Sequence, residues 1–132
     1  MKKNARGAKR DSKPLTAAEL EMMNVIWRIG PCTVAQVREQ LRPARELAYT
    51  SVSTIVRILE QKGYVTSERE GRGHMYAAAV SKETYQARSL KHLLNDVFES
   101  APSLLVRHLL ESGTLTASEL AEIKSLLRNR ER

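Results

Sequence analysis

Cysteine, phenylalanine and tryptophan each occur once in this 132-residue chain, and nowhere do 18 apolar residues follow one another. The single cysteine, Cys32, excludes an internal disulfide framework and suits a reducing compartment. Without a long apolar run, no segment is expected to span a membrane. The basic stretch Met1–Pro14 lacks the apolar core of a secretory signal, so a cytoplasmic protein is expected. Acidic residues are also in short supply: 15 Asp and Glu stand against 22 Lys and Arg, for a net charge of +7. That surplus favours an anionic partner, nucleic acid first. The motifs of catalysis are missing. There is no nucleophile–base pair, Gly-rich phosphate cradle or HExxH run, and Gly71-Arg72-Gly73 reads as a hairpin turn rather than a P-loop. His74, His92 and His108 fall on three different elements, with no Cys or carboxylate at ligand spacing. Neither an enzyme, nor a metal site, nor a cofactor is expected.

What is present is concentrated between Ala48 and Tyr76. Val52, Ile55, Val56 and Leu59 recur at i, i+3, i+4 and i+7 and form one apolar stripe of a helix. The opposite face carries Thr50, Ser51, Ser53, Thr54 and Arg57, with no acid before Glu60. A solvated face usually mixes Glu with Lys. Short hydroxyls and one Arg suit a helix laid against phosphates and base edges. Gly63 is placed to close this helix as its C′ residue. Tyr64–Glu70 and His74–Val80 then pair as strands around the Gly-Arg-Gly turn, with Val65, Tyr76, Ala78 and Val80 as the core-facing positions. A helix followed by a hairpin with a cationic tip is the layout of a winged helix-turn-helix.

Three helix starts repeat one pattern: Thr16…Glu19, Thr33…Gln36 and Thr116…Glu119 are capping boxes, each preceded by an apolar or small residue. The first helix is expected over 16–29, burying Leu20, Met23, Trp27 and either Val25 or Ile26, and ending at Gly30-Pro31. The second runs over 33–41 and buries Val34, Val37 and Leu41. Cys32 reads as a small packing residue. Residues 1–14 carry six cations against Asp11, with no apolar periodicity. They are expected to form a disordered basic arm, either a solubilising tail or a strand of charge that tracks DNA phosphates.

Beyond Ser81 the pattern is helical, with spans expected over 81–99, 103–111 and 116–129 and a break at Ala101-Pro102. Three helices cannot hide this many leucines among themselves, and large exposed apolar patches are rare on monomers. Symmetric dimerisation resolves the excess. The candidate contact residues are Leu90, Leu94, Val97, Phe98, Leu105, Leu109, Leu110, Leu120, Ile123 and Leu127. The fold class expected is mainly α with a small β-hairpin, a winged helix-turn-helix over 15–80 followed by a helical dimerisation module over 81–130.

With these residues in view, the chain resembles the penicillinase-repressor (BlaI/MecI/CopY) family of bacterial transcriptional regulators. The likeness rests on Leu15-Thr16…Glu19-Leu20…Met23…Ile26-Trp27, Ala48-Tyr49-Thr50-Ser51-Val52-Ser53-Thr54 and Leu59…Lys62-Gly63-Tyr64-Val65. Gly71-Arg72…Tyr76 and Leu115-Thr116…Glu119-Leu120 complete it, so that it covers about residues 15–128. The resemblance implies a homodimeric repressor of a palindromic, double-stranded operator, in its own operon. It also implies a membrane metalloprotease receptor that relieves repression indirectly by cleavage in the dimerisation module. Antibiotic-responsive members are cut at an Asn-Phe bond, and the aligned position here is His108-Leu109. Copper-responsive members end in a cysteine cluster, which this chain lacks.

The candidate DNA contacts are Thr33, Arg45, Tyr49, Thr50, Ser51, Ser53, Thr54, Arg57, Arg72 and His74. Thr33 caps a helix whose first amides form a natural phosphate site. Arg72 and His74 suit phosphate rather than base. Arg57 could reach either a phosphate or a guanine edge, and Tyr49 could pack in the core or on the sugar-phosphate edge. Two other readings stay open on these residues: a winged-helix protein-interaction module, and non-specific nucleic-acid binding.

Overall fold

All three capping boxes form. In the computed structural model, which describes residues 14–131, Thr16, Thr33 and Thr116 each accept the N–H of the residue three positions on at 3.1 Å. Each returns its own N–H to that residue's side chain at 2.9 Å. The arm expected over 1–14 lies outside the described residues, apart from Pro14. Helices α1 (Ala17–Ile29), α2 (Val34–Leu41) and α3 (Tyr49–Gln61) are followed by strands β1 (Val65–Glu70) and β2 (Gly73–Ala78). Then come α4 (Lys82–Asp96), α5 (Pro102–Glu111) and α6 (Ala117–Arg130). Two compact units result, one ending at Leu90 and the other beginning at Lys91.

The first unit is the winged helix-turn-helix. Its core holds Val34, Val37 and Leu41 from α2, and Val52, Val56 and Leu59 from α3, with Ile55 packed partly against them. From α1 the buried apolar residues are Met22, Met23, Val25 and Ile26, whereas Leu20 and Trp27 are only partly buried. The difference from the sequence expectation has a simple cause. Helix α1 packs against α2, α3 and β2 together, so its buried arc is wide and centred on 19, 22, 23 and 26 rather than on 20, 23 and 27. Trp27 still has a fixed place, donating its indole N–H to the Val80 carbonyl at 2.9 Å.

Helix α3 ends in a Schellman motif. Gly63, at φ 87°, donates to the Glu60 carbonyl, and Tyr64 donates to that of Leu59, a closure that needs a left-handed residue and favours glycine there. Tyr64 is thereby delivered into the core. The hairpin register pairs Val65 with Ala78, Ser67 with Tyr76 and Glu70 with Gly73. That leaves Gly71-Arg72 as a two-residue turn, with Gly71 at φ 60° as a primed hairpin turn requires. Cys32 bridges to Tyr76 by two backbone hydrogen bonds of 2.9 and 2.7 Å. Its buried thiol is pushed up by desolvation. Ala78 is exposed rather than core-facing, since the ladder ends at its pair with Val65 and the chain leaves the sheet there.

Helix α4 ends at Asp96, before the expected stop. The chain turns through left-handed Glu99 and Ser100, and Pro102 opens α5 at its first turn. Proline suits that position because its missing N–H would have no partner there. Within the second unit, among the described residues, no side chain is buried. Val97, Leu110 and Leu127 are 61%, 52% and 60% exposed.

An ion pair ties the first helix to the end of the third. Lys62 Nζ donates to both carboxylate oxygens of Glu19, at 2.9 and 3.1 Å, while Glu19 also holds the Thr16 cap. Burial pushes the Glu19 carboxyl up, but the hydrogen bonds from Lys62 and Thr16 and the Lys62 charge outweigh it, leaving the group below its ordinary 4.5. A depressed carboxyl contributes stability above its unfolded value and loses it as pH falls through the folded one. Lys62→Ala is therefore expected to destabilise at pH 7 by about 1–3 kcal/mol, with the gap to the parent closing below pH 4.5. Urea unfolding at the two pH values checks this. A gap that stays constant with pH would assign the loss to packing of the lysine stem.

Candidate nucleic-acid interface

At 3.6 residues per turn, positions four apart on α3 rise in a single row. Tyr49, Ser53 and Arg57 make such a row, Glu60 continues it three positions on, and together they form one wall of an open cleft of about 460 Å³. The second wall is the wing, through Ser67, Arg72, Gly73, His74 and Tyr76. Thr33, Val34 and Ala35, at the start of α2, close one end. The first amides of a helix have no acceptor within it, so this end adds donors to a cleft whose rim carries Arg57 and Arg72. Neither guanidinium has an acidic partner within 4 Å among the described residues, unlike Arg42 and Arg45.

Thr50, Thr54 and Arg57 point away from the apolar stripe and are exposed. Tyr49 is half exposed, which decides its position in favour of the surface over the core. Ser53 is partly buried against the cleft, while Ser51, two positions earlier and about 200° round the helix, is exposed and does not line it. The hydroxyl face is thus two adjoining stripes with Ser51 on the far flank. Arg45 is not brought to the cleft. It sits in the loop before α3 with its guanidinium 2.7 Å from the Glu21 carboxylate. Thr33 lines the cleft with its hydroxyl already engaged as the α2 cap. His74 lies on the wing face beside Tyr76, ring centroids 6.3 Å apart.

A penicillinase-repressor family model matches residues 15–129. The chain belongs to that family. The methicillin resistance regulatory protein MecI of Mammaliicoccus sciuri is 22% identical over 113 residues, covering 86% of this chain and 92% of its own length. The penicillinase repressor of Bacillus licheniformis is 25% identical over 113 residues, covering 86% and 88%. Monomeric BlaI of Bacillus licheniformis, solved in complex with the blaP half-operator, shares 26% identity over 55% of this chain and 89% of that one, with a TM-score of 0.47. Penicillinase-repressor family proteins are DNA-binding transcriptional repressors, which are not enzymes. Among the described residues no helix is long and apolar enough to cross a membrane.

In this penicillinase-repressor family chain, the cleft also contains groups that sequence reasoning passed over. Ser67 donates to Glu60 Oε2 at 2.6 Å, joining wing to α3. Tyr76, cross-strand from Ser67, is buried. Its hydroxyl is pushed up by desolvation and by the Glu60 charge, with Arg57 pulling it partly back. The strand alternation carried a signal for part of this set. Once Val65 faces inward, Ser67 and Arg69 share its side of the ladder, and so do their partners Tyr76 and His74. No local signal marks Glu60, because its partner depends on where the hairpin folds back.

Proposed function

We propose that this protein is a homodimeric, sequence-specific repressor that grips a palindromic operator, that of its own operon, through two copies of the α3 face and wing. The carrying observation is that Tyr49, Ser53 and Arg57 on α3 and Arg72 and His74 on the wing line one cleft, with Thr50 and Thr54 exposed beside it. Short hydroxyls and an arginine at the N-terminal half of α3 suit base edges in a major groove. Arg72, at the hairpin tip, suits a phosphate. Dimerisation through α4, α5 and α6 is supported by the exposure of Val97, Leu110 and Leu127 in a single chain. It would set two α3 helices against half-sites roughly 34–36 Å apart. A winged-helix unit over 15–80 and a dimerisation unit over 81–130 follow as the division of labour. Relief through a membrane metalloprotease receptor would act in the second, where His108 and Leu109 are exposed on α5.

Competition between the chain's own upstream DNA and random duplex tests the reading, with affinity measured across salt. Operator affinity is expected to fall with a log–log slope of about −0.9 per phosphate neutralised. Arg57→Ala should cost ~1–3 kcal/mol and relax base preference, whereas Arg72→Ala should weaken all sequences alike and make the slope shallower by about one. Equal affinity for operator and random duplex would sink sequence-specific repression and leave general nucleic-acid binding.

A further inference from the structure

The wing of this protein is a two-stranded hairpin, an element that is marginal alone. Its base is held by the Cys32–Tyr76 bridge and by Tyr64 and Val65 in the core. From Glu68 to His74 every residue is exposed. On the other strand, opposite Tyr76, one charge-assisted side-chain bond among the described residues ties the wing to α3, the 2.6 Å bond from the Ser67 hydroxyl to Glu60 Oε2, within the short range of O–H···O⁻ bonds. Glu60 is otherwise out of place. Among the described residues it is the one carboxylate lining a cleft that Arg57 and Arg72 also line, where an acid works against a polyanion.

We infer that Glu60 and Ser67 are positioning residues that set the angle of the wing to α3, and that the Arg72 phosphate contact depends on their hydrogen bond. The inference rests on the DNA-binding reading above and deepens it. Lever length gives the reason. The turn at Gly71 lies four positions beyond Ser67, about 14 Å at 3.4 Å per residue. A tilt of about 10° at Ser67 moves the tip by roughly 2 Å, several times the ~0.5 Å width of the distance range over which an N–H···O bond is formed. A carboxylate in the cleft is tolerable because its charge is engaged by Ser67 and lies near Arg57, while the cation that meets the backbone stands on the rim.

Salt titrations of operator affinity with the full-length chain separate the outcomes. Ser67→Ala is expected to make the log–log slope shallower by about one, as Arg72→Ala does, and the double variant Ser67→Ala/Arg72→Ala to be no shallower than Arg72→Ala alone. Glu60→Gln keeps an oxygen that accepts from Ser67, and Ser67→Thr keeps a hydroxyl, so both should hold the parent slope. Thermal unfolding of each variant verifies that the winged helix remains folded. Additive slopes in the double variant would overturn the inference. So would an unchanged slope for Ser67→Ala, or a loss in Glu60→Gln as large as in Ser67→Ala, which would assign the effect to charge. If the parent protein itself fails to bind operator DNA, the underlying reading fails instead.

Discussion

Leu110→Glu combined with Leu127→Glu is expected to leave this protein monomeric at micromolar concentration. It should weaken binding to a two-half-site operator by about 100- to 10,000-fold, the usual gain from tethering two binding modules. Both side chains are more than half exposed in the single chain, so a charge there has little to disturb within one subunit. The second unit has no buried side chain among the described residues, although α4, α5 and α6 carry leucines at core spacing. Such helices gain most of their stability from tertiary packing, and here a second copy is the proposed source of it. A carboxylate at each position would meet apolar surface from the partner and be stripped of water, which is costly without a counter-ion. Sedimentation gives the mass, and operator titration gives the affinity. Binding to an isolated half-site should be unchanged, because the cleft is built within residues ending at Tyr76. An unaltered dimer in the double variant would sink the assignment of this face.

Tyr85→Ala should have the largest effect on folding, about 3–5 kcal/mol as for other buried aromatic truncations. The ring lies 5.8 Å from Trp27 and 6.1 Å from Tyr64 by centroids. Its hydroxyl accepts the Leu15 N–H at 2.8 Å, immediately before the Thr16 cap. One side chain therefore braces α1, the post-α3 turn and the segment that opens the first helix. Tyr85→Phe removes only the acceptor and leaves a buried N–H unpaired, so about 1–3 kcal/mol is expected. Since domains of this size have 5–15 kcal/mol in all, the alanine variant should show a large fall in its urea midpoint. Equal losses in the two variants would show that the rings contribute nothing beyond the hydrogen bond.

Much of the frame was legible because its causes lie within a few residues of one another. A threonine three positions before a Glu or Gln satisfies two amides whatever the rest of the chain does, and all three such boxes formed. The α3 stripe and the Gly63 closure are equally local. Residue choice around Glu19 was less legible. The capping box accounted for it fully, and nothing nearby marked Lys62, 43 positions on, as its second partner. Nothing in the helical pattern after Ser81 marked Tyr85 as a member of the winged-helix core, 70 residues from Leu15.

The sequence by itself determined the element order, the helix caps, the apolar stripe of α3 and the excess of leucine after Ser81. These follow from period, capping chemistry and turn residues, which act at separations of two to seven. Only the tertiary structure decided that α1 buries Met22 in place of Leu20, that Arg45 pairs with Glu21 away from the cleft, and that Ser67 reaches Glu60. Such contacts depend on which faces meet once helices dock and a hairpin folds back, and a solvent-facing serine or glutamate reads the same in sequence whether or not a partner arrives.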